Sequence, residues 1–303
     1  MHVTMSDEEV DIMPGSTIAD AVSSGRVLIS DGAWGTAIFE QGCPPDDCLE
    51  SWALTHVEAL RQLAAGYLAA GADMVKTDTF GANRFHLAHF GLQDQVARIN
   101  EAAAGASRVA AGDDHWVIAS VGPSGMMLCT QEVTPDELSQ AFREQVVGLA
   151  AGGADAICIE TMSDPEEAAL AIQAAKDNTG LEVIATFSFA KTVRGDFRTM
   201  MGADPAEAVA AAVAADIVGA NCGDGIADMV ELVRQMRGLT AKPIVVHANA
   251  GLPHTAGGRT TFPDSPADMA RWVPDLIAAG AGIVGGCCGT TPAHIAAMRA
   301  AVR

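Results

Sequence analysis

The sequence is poor in basic residues, in aromatic residues and in long apolar runs. Its 18 lysines and arginines face 38 aspartates and glutamates, which gives a formal net charge of −20 at pH 7. Nucleic acids and anionic membrane surfaces require a basic patch on their partner, so neither is expected to bind. Aromatic residues make up 5% of the chain, with a single tyrosine.

Long hydrophobic runs are absent from the sequence as well. No run reaches the roughly 18 apolar residues that a membrane-spanning helix requires. The acidic first residues lack the basic and then apolar pattern of a secretory signal. These two observations predict a cytoplasmic protein without a membrane partner.

The seven cysteines do not suit a disulfide framework, because their number is odd and the chain is long. Metal binding or catalysis is the more typical use. Cys287 and Cys288 are adjacent, and neighbouring side chains on an extended strand point to opposite faces. Both could bind one metal ion only where the chain bends, which the surrounding glycines permit. Cys43 and Cys48 flank a proline-rich loop without a nearby histidine, and we expect them to pack rather than to form a second metal site.

Short β-branched segments alternate with alanine-rich segments of helical period along the chain. Strands are predicted at 27–32, 73–80, 116–121, 156–160, 183–189, 216–221, 243–248 and 281–284. Helices are predicted at 134–149, 165–175, 205–213, 226–236 and 266–278, among others. Eight strands, each followed by a helix, predict an α/β protein with a single (β/α)8 TIM-barrel domain at 16–303, preceded by a loose tail at 1–15. A doubly wound parallel sheet is the alternative.

A barrel of this kind carries its site at the carboxyl ends of the strands. Cys222 ends the sixth predicted strand, and Cys287 and Cys288 follow the eighth. Side chains from these two strands converge on the same mouth of the barrel. Three thiolates with an open fourth position are typical of a catalytic Zn²⁺ site. The alternative is that the three cysteines are buried packing residues.

Six segments in order resemble the homocysteine S-methyltransferase family, and in particular the homocysteine-binding barrel of cobalamin-dependent methionine synthases. They are DGAWGT at 31–36, TDTFGAN at 77–83, Glu160-Thr161, GANCG at 219–223, NAGLP at 249–253 and GGCCGTTP at 285–292. The resemblance runs from about residue 24 to the C-terminus. Its most specific part is the asparagine-cysteine pair of strand six combined with the double cysteine of strand eight.

The resemblance implies a zinc-dependent S-methyltransferase in which Cys222, Cys287 and Cys288 bind the metal. The thiol of homocysteine would take the open position as a zinc-bound thiolate and attack a methyl group in line, giving methionine. Glu160, and Asp31 with Gly32, match positions that hold the amino-acid part of homocysteine, where a carboxylate pairs with the ammonium group. Asn221 and Asn249 match positions that orient neighbouring groups.

Two departures from the family pattern concern the acceptor. Asp78 stands where the family commonly has asparagine, and Lys76 precedes it on the same strand face. We expect Asp78 to contact the substrate, and the two residues could form a buried ion pair at the mouth. The loop at 191–202 also differs from the methionine-synthase form. An acceptor other than homocysteine is therefore the alternative.

The sequence is compatible with two chemical classes of methyl donor. Cobalamin-dependent synthases append folate, corrinoid and reactivation modules, for which 303 residues leave no room. The donor is then either a small compound, such as S-methylmethionine, S-adenosylmethionine or a betaine, or a methylcorrinoid on a separate protein. In the second case the chain is a stand-alone methyltransferase component.

Two interpretations from other functional classes are also compatible with the sequence. A redox protein could use Cys287 and Cys288 as a vicinal disulfide, but this leaves Cys222 unexplained. A non-catalytic barrel could bind zinc and thiols without methyl transfer, because one fold hosts many functions.

Overall fold

The computed structural model describes residues 16–256 and 259–302, and the predicted tail at 1–15 lies outside them. The strands are β1 (Leu28–Ile29), β2 (Met74–Lys76), β3 (Trp116–Val121), β4 (Ala156–Met162), β5 (Glu182–Phe187), β6 (Ala190–Lys191), β7 (Phe197–Arg198), β8 (Ile217–Cys222), β9 (Ile244–Ala248), β10 (His254–Ala256), β11 (Arg259–Thr261) and β12 (Ile283–Gly286). The helices are α1 (Ile18–Ser23), α2 (Gly35–Glu40), α3 (Trp52–Thr55), α4 (Val57–Ala69), α5 (Arg84–Ala88), α6 (Val96–Ala111), α7 (Pro135–Ala151), α8 (Pro165–Asn178), α9 (Pro205–Ala211), α10 (Ile226–Arg237), α11 (Pro266–Ala270), α12 (Val273–Ala279) and α13 (Pro292–Ala301). Three 3₁₀ turns lie at Leu49–Ser51, Gln93–Gln95 and Leu128–Thr130.

Eight of these strands form a parallel barrel with the helices around it. Their order in the sheet is β1-β12-β9-β8-β5-β4-β3-β2. A parallel bridge between Ser30 and Met74 joins the two ends of the order and closes the ring. The predicted (β/α)8 fold is therefore confirmed. The eight barrel strands match the eight predicted ones, with ends shifted by up to four residues.

The remaining strands form two short antiparallel hairpins that the sequence did not predict. β6 pairs with β7 after β5, and β10 pairs with β11 after β9. Both hairpins follow the carboxyl end of a barrel strand. They therefore add walls at the mouth where a site is expected.

The predicted helix at 266–278 is interrupted, which corrects the sequence prediction. α11 ends at Ala270, and α12 begins at Val273 with Pro274 in its first turn. Proline has no N–H to donate and is tolerated in the first turn of a helix, whereas it disrupts the interior. The two segments therefore form separate helices instead of one.

The lower half of the barrel interior is apolar. Each barrel strand contributes at least one buried residue to it, and Ile18 and Ala21 of α1 pack against this layer. The strand residues include Leu28, Met74, Ile118, Cys158, Ile184, Ile217, Val245 and Ile283. Backbone N–H groups of Ile18 and Ala19 donate to the Glu182 carboxylate at 2.6 and 3.0 Å, which attaches α1 to β5. The lower layer thus forms a closed base for the mouth.

None of the described helices is both long and apolar enough to cross a membrane.

Candidate active site

Three thiols meet at the carboxyl end of the barrel. The sulfur atoms of Cys222, Cys287 and Cys288 all lie within 4.8 Å of one another, and those of Cys222 and Cys287 are 3.1 Å apart. All seven cysteines of the chain are free thiols in the structure. Among the described residues, no other group of three potential metal ligands comes this close. Cys43 and Cys48 are buried and lie outside the cluster.

The backbone at Cys222 and Thr161 has an unusual conformation. Their φ angles are +58° and +63°, in the left-handed region that residues other than glycine rarely adopt. The Asn221 side chain accepts a hydrogen bond from the Thr161 N–H at 2.8 Å and donates to its hydroxyl at 2.7 Å. Its amide nitrogen is also 3.5 Å from the Cys222 sulfur. Asn221 therefore holds both strained residues, and strain of this kind is common at functional sites.

A tight turn brings Cys287 and Cys288 into position. The Cys287 N–H donates to the Ala248 carbonyl at 2.7 Å, and the Thr290 hydroxyl donates to the Cys287 carbonyl at 2.7 Å. The φ angle of Gly289 is +79°, and a Cβ atom there would overlap the Phe262 ring. The glycine after the double cysteine is thus required by backbone conformation and by space.

Gly32, one of the predicted substrate-binding residues, lies against the same turn. A Cβ atom on Gly32 would come within 2.7 Å of the Thr290 hydroxyl. That hydroxyl also accepts a hydrogen bond from the Ala33 N–H at 3.1 Å. Close packing of the first and last strand ends therefore explains why this position is a glycine.

A buried ion pair lies beside the thiols. The Lys76 ammonium is 3.4 Å from Glu160 Oε2, and both side chains are only 6% exposed. The Ser120 hydroxyl donates to the other oxygen of Glu160. Burial alone would lower the pKa of Lys76, but the carboxylates of Glu160 and Asp31 raise it overall. Lys76 is therefore a cation paired with Glu160, and not with Asp78 as the sequence also allowed.

Asp31 is fully buried, and its carboxylate accepts hydrogen bonds from neighbouring groups. Its Oδ2 atom accepts hydrogen bonds from the Trp34 indole at 2.7 Å and from the Lys76 N–H at 2.6 Å. Burial raises the pKa of Asp31 to about 6, although the charge and the N–H of Lys76 act in the opposite direction. Asp31 thus orients the end of β2 from behind the cavity wall.

Asp78 and Glu50 supply two further carboxyl groups. Asp78 is 5% exposed, and its Oδ2 atom has no hydrogen-bond partner among the described residues. Burial, followed by the neighbouring charge of Glu50, raises the pKa of Asp78 well above its usual range. Glu50 is 6% exposed and accepts a hydrogen bond from the Gly81 N–H at 2.8 Å. Glu50 was not predicted from the sequence, because it lies in a 3₁₀ turn far from any strand end and belongs to no motif.

Two cavities adjoin the thiol cluster, the first at all three cysteines and the second at Cys222. The first has a volume of about 540 Å³, and its lining includes all three cysteines together with Lys76, Asp78 and Glu160. The second has a volume of about 790 Å³, and its lining includes Met126, Met127, Met200 and Met201. Thr161 and Cys222 line both cavities. Cys222 therefore lies at the boundary of both cavities.

The three thiols differ in acidity. Hydrogen bonds from Cys222 and Cys288 lower the pKa of Cys287 well below that of a free thiol. Hydrogen bonding to the other two sulfurs, with burial, raises the pKa of Cys222. Contact with Cys222 lowers the pKa of Cys288, but the Cys287 sulfur and burial raise it to about 12 overall.

The structure brings most of the predicted site residues to one cavity. Its lining includes Gly32, Asp78, Glu160 and the three cysteines. Asp31 and Asn221 lie behind this lining and act through their neighbours. Asn249, at the second cavity, donates to the Gly223 carbonyl at 3.1 Å.

Known proteins share both sequence and fold with this chain. A sequence model of the family described as homocysteine S-methyltransferase matches residues 28–302. The methionine synthase of Mycobacterium tuberculosis (strain ATCC 25618 / H37Rv) is 31% identical over 299 residues, which cover 93% of this chain and 25% of that protein. The methionine synthase of Mycobacterium leprae (strain TN) is 31% identical over 295 residues, or 91% of this chain and 24% of that protein. The chain spans about a quarter of the length of these curated relatives.

The fold also resembles solved structures of homocysteine methyltransferases of similar length. The homocysteine methyltransferase MmuM from Escherichia coli, in its metallated form, is 25% identical with a TM-score of 0.75, over 93% of this chain and 98% of that chain. Its oxidised form is 26% identical with a TM-score of 0.73, over 90% and 95% of the two chains.

Proposed function

The chain belongs to the homocysteine S-methyltransferase family, and we propose that it transfers a methyl group to the thiol of homocysteine, giving methionine. We further propose that Cys222, Cys287 and Cys288 hold a Zn²⁺ ion for this reaction. The observation that carries the proposal is the convergence of these three thiols on one wall of a cavity of about 540 Å³. This volume is ample for an amino acid with a short side chain.

The donor set fits zinc. A tetrahedral site with Zn–S bonds of about 2.3 Å separates its sulfurs by about 3.8 Å. The three sulfurs lie within 4.8 Å of one another, so small side-chain rotations suffice to bind the ion. Thiolates favour zinc over magnesium or calcium. When bound, zinc would accept the substrate thiol at its open position and favour loss of the thiol proton.

The chain's own residues bind and orient the reactants. Lys76 supplies a cation inside the cavity, while Asn221 fixes Thr161 and Cys222 at the boundary of both cavities. In-line methyl transfer requires acceptor and donor on opposite sides of the methyl group, and orientation of two reactants accounts for much of such catalysis. Two cavities that share Cys222 support this arrangement, with homocysteine in the first and the donor in the second.

Methyl exchange with a separate corrinoid protein is a second candidate function, favoured by the lining of the second cavity. Met200 is 89% exposed and Met201 is 42% exposed at its rim. Flexible thioether side chains adapt to large apolar ligands and partner surfaces. A methylcorrinoid held by another protein would fit such a rim better than a small charged donor.

The proposal is tested by calorimetric titration of L-homocysteine into zinc-loaded protein in two buffers of different ionisation enthalpy. We expect release of about one proton per zinc on binding, because the metal ionises the thiol. Cys222→Ser removes a ligand and should abolish both zinc retention and proton release. Cys129→Ser, which changes an exposed cysteine outside the cluster, should change neither.

Methyl transfer is then assayed with S-methylmethionine, S-adenosylmethionine, betaine and methylcobalamin as donors. Methionine formed from any of them, with the same dependence on Cys222, supports the proposal. If the zinc-loaded protein does not bind homocysteine, that result contradicts the proposal and favours another acceptor. A protein that retains no zinc and instead forms a reversible disulfide between Cys287 and Cys288 favours the redox interpretation.

A further inference from the structure

We propose that Asp78, assisted by Glu50, anchors the ammonium group of the thiol substrate and thereby sets the specificity for an amino-acid acceptor. The inference rests on the proposed function, since it concerns the substrate of the same cavity. It differs from the role implied by the family pattern, in which Glu160 and Asp31 contact the amino-acid part. The argument depends on which carboxyl groups already have partners.

Glu160 has little capacity left for a substrate ammonium. Its Oε2 atom is 3.4 Å from the Lys76 ammonium, and its Oε1 atom accepts a hydrogen bond from the Ser120 hydroxyl. A second cation beside Glu160 would meet the buried positive charge of Lys76. Like charges at short range in a buried site repel strongly. Glu160 therefore balances Lys76 rather than the substrate.

Asp31 is also unsuited to direct contact. It is fully buried, it is not part of the cavity lining, and its Oδ2 atom already accepts two hydrogen bonds. The Ser30 hydroxyl lies 3.3 Å from the other oxygen. Asp31 acts as a positioning residue for Trp34 and for the end of β2.

Asp78 is a buried carboxyl group of this cavity that forms no ion pair with any described residue. It lines the cavity, it is 95% buried, and its Oδ2 atom has no partner within the described part of the chain. Glu50 lines the same cavity next to it and adds negative potential. A buried polar group without a partner is costly, and that cost is removed when a ligand supplies the missing donor. An ammonium group supplies both hydrogen-bond donors and a positive charge.

The cysteines and Asp78 line one cavity, so a single ligand can contact both. In homocysteine a short chain separates the thiol from the ammonium group. The thiol would reach the metal position while the ammonium group lies at Asp78.

The test compares two thiols that differ only in the ammonium group. L-homocysteine and 4-mercaptobutanoic acid, which lacks the amino group, are titrated into zinc-loaded wild-type protein and into the isosteric variant Asp78→Asn. We expect the wild type to prefer homocysteine by roughly tenfold to a hundredfold, as for a hydrogen bond to a charged group. Asp78→Asn should lose most of this preference by weakening homocysteine alone. Asp46→Asn, an exposed carboxylate in a nearby loop, should keep the preference.

A second variant guards against misfolding of the first. Glu50→Gln should reduce the preference less than Asp78→Asn, because Glu50 already accepts hydrogen bonds from Gly81 and Cys48. Equal affinity of the wild type for both thiols overturns the inference without any variant. An unchanged preference in Asp78→Asn also overturns it, and a higher KM for a cationic methyl donor in that variant would assign Asp78 to the donor. Failure of the proposed function has another signature, in which neither thiol binds to the zinc-loaded wild type.

Discussion

The two halves of the barrel interior lie on the same strands and yet differ in character. In the lower half the inward-facing residues are apolar, as at Leu28, Met74, Ile118, Ile184 and Val245. Two residues further along these five strands, on the same face, lies a polar upper layer. These positions hold Ser30, Lys76, Ser120, Thr186 and His247, all of them buried. A shift of two residues, which is the period of a strand, thus separates the part that stabilises the fold from the part that carries the site.

The upper layer contains features that the lower layer lacks. Both ring nitrogens of His247 are buried without a hydrogen-bond partner among the described residues. Burial, with the charge of Lys76, lowers the pKa of His247 well below its usual value, so the ring is neutral. The left-handed residues Thr161 and Cys222 also lie at this end. The contrast indicates that these residues at the barrel mouth lower the stability of the fold while they hold the site in a preorganised geometry, as is common at functional sites.

The largest loss of stability is expected when one charged residue of the upper layer is replaced by an apolar one. Lys76→Met leaves Glu160 buried without its cation, and loss of one partner of a buried pair costs about 3–5 kcal/mol in the free energy of unfolding. Urea unfolding of the metal-free protein measures the change. Lys176→Met, which breaks the partly exposed pair with Asp216, should cost about 1 kcal/mol or less. Similar losses in both variants would mean that the upper layer is not electrostatically distinct.

The sequence predicts the framework of both layers well. Eight buried strands separated by helical segments imply a barrel, and the barrel implies that strand ends meet. That reasoning is sufficient to bring Cys222 together with Cys287 and Cys288. The three cysteines are the part of the site that follows from topology alone.

The partners within the upper layer do not follow from the sequence. Lys76 and Asp78 share a strand face, which allowed a pair between them, but the structure pairs Lys76 with Glu160. Contacts across a barrel depend on the stagger of strands that are far apart in sequence, and no local pattern encodes this stagger. Glu50 was missed for a related reason, because a loop after β1 carries it into the cavity.

A smaller effect concerns the carboxylate that supports the upper layer. Burial raises the pKa of Asp31 from 3.8 to about 6, so the folded state binds its proton more tightly than the unfolded state. Stability from this residue is therefore present at low pH and is lost as the pH rises through about 6. Between pH 4 and pH 7 the free energy of unfolding of the wild type should fall by roughly 2 kcal/mol relative to Asp31→Asn.

Metal-free protein is used for this comparison so that zinc release does not contribute. Asp113→Asn, at an exposed loop position, is the matched control and should run parallel to the wild type over the same pH range. Parallel curves for the wild type and Asp31→Asn would show that Asp31 does not carry this pH dependence.

The smallest predicted losses of stability come from two substitutions, one in each layer, that should destabilise the protein about equally. Ile283→Val removes one methyl group from the lower layer and should cost about 1 kcal/mol in the free energy of unfolding. Thr186→Val removes the hydroxyl that donates to Asn221 at 2.8 Å, with a similar cost of about 1 kcal/mol. Only the second change reaches the site, since Asn221 holds Thr161 and Cys222. Calorimetry should show unchanged homocysteine affinity in Ile283→Val and a several-fold weaker affinity in Thr186→Val. Equal affinities would mean that the layers differ in polarity but not in function.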